Sequence, residues 1–137
     1  MEWRRDRFRL TTQSTEHSAN RTFGLLQETY WGHKRSLEMV EKVLENSMCF
    51  FLLDGDRQIG FARVISDFTT TSWLSDVVLD DDYQNQGLGS WMVQQILCHP
   101  EISETQFALQ TGTAQKFYKR LGFLSNESLM STPVDYL

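Results

Sequence analysis

At 137 residues, 40% of them apolar and 23% charged, the chain is sized for one domain spanning 1–137, with a core large enough to need no disulfide or structural metal. Its longest apolar runs, such as Met48 to Leu53, fall far short of the ~20 residues of a membrane span, and no apolar segment follows the charged amino end to complete a signal peptide, so a cytoplasmic protein with no membrane partner is expected. Thirteen Lys and Arg against eighteen Asp and Glu leave −5, which argues against nucleic acid as a partner, since sequence-independent binders rely on a basic surface.

Asp6 to Thr12 mixes Phe8 and Leu10 with charges and reads as an edge-type first strand. Arg4, Arg5, Arg7 and Arg9 form the one dense basic cluster, and a solvated face is the simplest use for it. Phe23, Leu26 and Tyr30 then recur at helical spacing, and Leu37, Val40 and Leu44 repeat it behind Ser36 as N-cap. Met48 to Leu53 and Gln58 to Ile65 flank Asp54-Gly55-Asp56-Arg57, a hairpin signal. Ser72 to Leu79 supplies a fourth strand, joined to the third by another hairpin.

The character of the chain then changes. Asp80 to Ser90 is a polar turn with glycines at 87 and 89, and Leu88, Trp91, Met92 and Ile96 behind it mark a helix that ends at His99-Pro100. Thr105 to Gln110 reads as a short strand, and Ala114, Phe117, Tyr118 and Leu121 as an amphipathic helix stopped by Gly122. Phe123-Leu124 and Leu129-Met130 suggest closing strands. Hairpin-paired strands followed by a strand reached through a helix predict a mixed α+β sheet. Cys49 and Cys98 have no partner at metal-ligand spacing, so two reduced, partly buried thiols and no metal are expected.

A strand running through a glycine-bearing turn into a helix exposes unpaired N–H groups where the helix dipole is positive, an arrangement that holds phosphate. A plain structural turn would look similar. The segment lacks the Lys-[Ser/Thr] ending of a P-loop and the three glycines of a dinucleotide fold.

Gln84-Asn85-Gln86-Gly87-Leu88-Gly89 nevertheless fits [Gln/Arg]-x-x-Gly-x-[Gly/Ala] behind a strand. With Ala114-Gln-Lys-Phe-Tyr118-Lys-Arg-Leu-Gly-Phe123 downstream, the chain resembles a GCN5-related N-acetyltransferase (GNAT) over most of its length. The resemblance implies an α+β, three-layer fold whose mixed, mostly antiparallel sheet has six or seven strands flanked by about four helices. It implies acetyl-CoA as donor, with Gln84, Asn85, Gln86, Gly87, Leu88, Gly89 and Ser90 around the pyrophosphate. The backbone of Val77, Val78 and Leu79 would pair with the pantetheine arm, and main-chain N–H on that strand would face the thioester oxygen. Tyr118 matches the family's tyrosine near the sulfur, a general acid, although on the pattern of residues alone it is a core aromatic. Many members carry Asn seven residues before that tyrosine, where this chain has Thr111, so a contact ascribed to that Asn is in doubt.

Acetyl transfer to an amine needs a deprotonated nucleophile, a stabilised oxyanion and a proton for the thiolate. Asp76 interrupts an apolar strand, and a carboxylate there needs a partner or a purpose; it is the leading candidate base, with a structural hydrogen bond or a water relay as alternatives. Asp67 is a second candidate and equally a turn residue. Tyr30 and Trp31, between the first two helices, would form an aromatic wall for a cationic amine or simply pack at the edge of the core. Arg63 could pair with an acceptor carboxylate or with a nearby acid. The expected reaction is direct attack, in a ternary complex, by the primary amine of a small molecule or peptide terminus. An acyl-CoA-binding sensor of the same fold is the alternative, and a homodimer is left open.

Overall fold

A computed structural model describes residues 1–136. Where one strand over Asp6 to Thr12 is expected, a hairpin forms: β1 (Glu2–Arg5) pairs antiparallel with β2 (Phe8–Thr11), Arg5 opposite Phe8. Asp6 turns the chain at φ 54°, a left-handed conformation that Asp visits more readily than most residues. Charge conceals β1 in the sequence, because its one large apolar side chain is Trp3, which lies edge-on to the buried His99 ring at 5.7 Å.

Helix α1 (Ser18–Gln27) buries Ser18, Thr22, Leu25 and Leu26 and ends before Tyr30. The Thr29 hydroxyl closes the turn beyond it, donating to Leu26 O and accepting from Gly32 N. Helix α2 (Leu37–Asn46) begins as expected, with Ser36 Oγ accepting from Met39 N at 3.2 Å. Strands β3 (Met48–Asp54) and β4 (Arg57–Ser66) form the hairpin foreseen from Asp54-Gly55, with Gly55 at φ 61°.

Strand β5 (Thr71–Leu79) returns antiparallel to β4. In the connecting turn the Asp67 carboxylate accepts from the Thr70 hydroxyl and from N–H of Thr69, Thr70 and Thr71. Those bonds, the hydroxyl first, hold its acidity well below the usual carboxylate range, so Asp67 serves the turn. A 3₁₀ turn (Asp81–Tyr83), α3 (Leu88–Leu97), β6 (Gln106–Ala108) and α4 (Gln115–Arg120) complete the order. Cys49 is buried, as expected, but Cys98 is exposed at the end of α3.

The six strands lie in chain order in one mixed sheet, and only the last pair, β5 with β6, is parallel. Leu25, Leu26 and Val40 cover one face over Phe51, Phe61 and Val78. Leu88, Met92, Val93, Ile96 and Tyr118 cover the other over Leu10, Phe50, Leu52 and Leu74. This is the expected three-layer α+β architecture. The two closing strands do not form: Leu124 and Met130 are 91% and 92% exposed, and isolated apolar pairs offer no alternation with which to bury one side of a strand.

Strand β5 is irregular in two ways. Phe61 pairs with Val78 and Arg63 with Ser75, so an extra residue is accommodated around Asp76, which has φ 54°. That bulge reverses the alternation, placing Leu74 in one core and Val78, four residues on, in the other. In addition, β6 pairs with β5 only from Thr71 to Trp73, and residues 74–79 have no partner strand on that side among the described residues. A bulge bends its strand and adds twist, and this one sits where the two strands part.

Candidate active site

The split between β5 and β6 opens toward the glycine-bearing loop. Gln84 Nε2 donates to Leu79 O at 3.1 Å, tying the loop to the end of β5. Asn85 and Gly87 take positive φ, 63° and 76°, and turn the chain into α3 with Gly87 as its N-cap. No side chain among the described residues caps this helix, so its first N–H groups are left for another acceptor. A Cβ at Gly89 would lie 3.6 Å from the Phe117 ring, in ordinary contact. The chain's own packing therefore does not demand glycine at 89, whereas a group approaching the loop backbone would.

Tyr30 and Trp31 stand edge to face, ring centroids 5.2 Å apart. They line a cavity of about 440 Å³ together with Leu25, Thr29, Val78 and Leu79, and Glu28, Asp80, Asp81 and Asp82 complete its wall. Asp80 is paired with Arg57 at 3.2 Å, while Glu28, Asp81 and Asp82 have no ion-pair partner among the described residues. A Cβ at Gly112 would come within 3.2 Å of Tyr30 Oη, so this tyrosine reaches from the α1–α2 connection to the β6–α4 loop, across the split.

Tyr118 is 9% exposed, with its ring against Phe117 at 4.9 Å and Phe123 at 5.6 Å. Burial alone pushes its phenol up to about 12. No protein group hydrogen-bonds the hydroxyl among the described residues, and the residue lines a larger groove of about 1000 Å³ along β6, α4 and the following segment. Thr111 Oγ1 accepts from Ala114 N at 3.0 Å, so the residue that stands where many members carry Asn bonds the N-cap residue of α4.

Asp76 precedes Val77 at the bulge of β5. Its side chain is 1% exposed, and Oδ2 accepts both from Arg35 Nη1, itself 6% exposed, and from Arg63 Nε at 2.6 Å. Its Oδ1 is buried without a partner among the described residues. A carboxylate clamped by two guanidinium groups is an anchor, tying the α1–α2 connection to the β5 bulge, and is poorly placed to collect a proton. The same contacts settle Arg63, which pairs with a protein acid, and they bring in Arg35, which sequence reasoning does not single out. Only its buried position beside a strand carboxylate identifies it, and neither property is visible in sequence.

No group of three or more His, Cys, Asp and Glu among the described residues could hold a metal ion, and no helix among them is long and apolar enough to cross a membrane. The model of the acetyltransferase (GNAT) domain matches residues 45–124. The chain is 33% identical over 104 residues to the uncharacterized N-acetyltransferase ycf52 of Pyropia yezoensis, covering 68% of this chain and 58% of that protein. A Gracilaria tenuistipitata relative of the same name is 31% identical over 100 residues, covering 68% of this chain and 55% of that protein. The chain thus spans little more than half the length of the curated relatives it matches. Among solved structures, a Xanthomonas campestris protein assigned to the GNAT family superimposes with a TM-score of 0.82 at 30% identity, covering 93% of each chain. A GNAT acetyltransferase from Elizabethkingia anophelis, solved with acetyl-CoA bound, shares the fold at TM-score 0.70 and 15% identity, covering 90% of this chain and 80% of that one.

Proposed function

The chain belongs to the GNAT acetyltransferase family, and on that premise we propose that it transfers an acetyl group from acetyl-CoA to a primary amine of a small molecule or peptide terminus, in a ternary complex. One observation carries the reading: the unpaired side of β5 leads into an uncapped, glycine-bearing helix start, beside a helix that presents a tyrosine hydroxyl with no protein partner among the described residues. The residues fit the donor. An extended pantetheine amide can add to Val77, Val78 and Leu79 as another strand would, and the amides from Gln86 to Ser90 can receive a pyrophosphate where glycine leaves room.

The amine enters as a cation. The aromatic pair and the free carboxylates of Glu28, Asp81 and Asp82 favour that charge, and water in the cavity takes the proton before attack, since Asp76 is already committed. The nitrogen lone pair then forms a bond to the thioester carbon while main-chain N–H on β5 stabilises the oxygen. The carbon–sulfur bond breaks with its electron pair on sulfur, which Tyr118 meets with its hydroxyl proton. The remaining nitrogen proton passes through water to the Tyr118 phenolate, which restores the hydroxyl and gives the amide and free thiol.

Two variants test the two ends of the site. Gly89→Val places branched carbons over the loop and is expected to weaken acetyl-CoA binding by calorimetry; equal affinity for both proteins would remove the cradle. Trp31→Ala is expected to raise the acceptor KM about twofold to thirtyfold, the range of a cation–π contact of ~0.5–2 kcal/mol, with acetyl-CoA affinity little changed. A loss confined to donor binding would place the acceptor elsewhere.

A further inference from the structure

We infer that Arg5, on the amino-terminal hairpin, is a phosphate-binding residue of the donor site, directed at the diphosphate of the acyl donor. The inference rests on acetyl-CoA as donor but not on the residues that identify the family, because Arg5 lies outside the matched segment 45–124. Its guanidinium donates from Nη1 to Gly87 O at 3.1 Å, bridging 82 positions of sequence. A Cβ at Gly87 would lie 3.5 and 3.6 Å from its two terminal nitrogens, in ordinary contact, so the fork rests over the N-cap of α3.

Charge separates Arg5 from its neighbours. Arg4 and Arg9 pair with Glu2, Arg7 pairs with Asp54, and Arg57 across the same end of the sheet pairs with Asp80. Arg5 has no carboxylate partner among the described residues, and its one protein hydrogen bond there is to the carbonyl of the glycine that starts the helix. Asp54, the nearby hairpin acid, is engaged instead by Arg7 and by the Tyr83 hydroxyl, which donates to its second oxygen at 2.7 Å. An exposed guanidinium free of acids, hydrogen-bonded at the edge of a loop whose helix-start amides have no side-chain acceptor, suits a phosphate oxygen received by those amides. Such a fork can take up two phosphate oxygens with its remaining donors.

The test is calorimetric titration of the full chain with CoA, dephospho-CoA and pantetheine, at low and high salt. Arg5→Met is expected to weaken CoA and dephospho-CoA alike by about tenfold at low salt, the scale of one charge-assisted hydrogen bond. The difference should shrink at high salt, pantetheine should bind as before, and Arg5→Lys should recover part of the loss. Arg4→Met, whose partner is Glu2, should change nothing. Weakening of CoA but not of dephospho-CoA would overturn the diphosphate assignment in favour of the 3′-phosphate. Unchanged affinity, or an equal and salt-independent loss that includes pantetheine, would reduce Arg5 to a support for the loop. A wild-type chain that binds none of the three would overturn the donor assignment itself, a result distinct from failure of the arginine alone.

Discussion

Tyr118→Phe is expected to lower kcat by about 10²–10⁴, the range over which a positioned proton donor acts, while the urea midpoint stays close to that of the wild type. The ring is held by Phe117 and Phe123 and phenylalanine keeps those contacts. Only the hydroxyl is lost, and among the described residues it bonds nothing in the protein, so its removal leaves no buried partner unsatisfied. Burial pushes the phenol up to about 12, so the donor form persists through the neutral and mildly alkaline range and the defect should not vary with pH there. If Tyr118 were only a core aromatic, the order of effects would reverse: Phe would turn over normally, and Ala would lose ~3–5 kcal/mol of stability. A Phe variant within twofold of wild-type kcat would remove the residue from the mechanism.

Asp76→Asn should destabilise the fold by about 3–5 kcal/mol, because it leaves Arg35 and Arg63 without their common counter-charge in a nearly dry environment. Asparagine also accepts a positive φ, so the substitution isolates the charge from the backbone of the bulge. Replacing the anchor and both arginines together by apolar residues of similar size should restore much of that loss. The predicted readout is a lower urea midpoint with kcat largely kept in the fraction that remains folded. A variant of wild-type stability whose kcat collapses would return Asp76 to the role of base.

The contrast between these two residues shows what a sequence can disclose. Tyr118 sits in a local pattern, four positions after Ala114 on a short helix, and the glycine loop is a local pattern too, so both can be matched to a family by resemblance, although spacing alone reads them as a core aromatic and a turn. Asp76 depends on partners 41 and 13 positions away and on a bulge that shifts it across the sheet. Alternation along Ser72, Leu74, Asp76 and Val78 implies one face for all four, and the bulge breaks it. The first strand escapes for another reason: Trp3 is a lone large apolar residue among charges, and it packs on a histidine, His99, from the far end of α3. The two supposed closing strands fail because an apolar pair gives no periodicity to test. Helical spacing locates Tyr30 just beyond α1, but its approach to Gly112 is a tertiary fact.

Release of CoA thiol from acetyl-CoA, measured with and without a panel of primary amines that includes diamines, amino acids and short peptides, tests the central assignment most directly. Thiol release that depends on an amine, saturates in both substrates and fails in Tyr118→Phe is the predicted result. Tight binding of acetyl-CoA with no amine-dependent release across the panel would contradict it, and would make the chain an acyl-CoA-binding sensor built on an acetyltransferase fold.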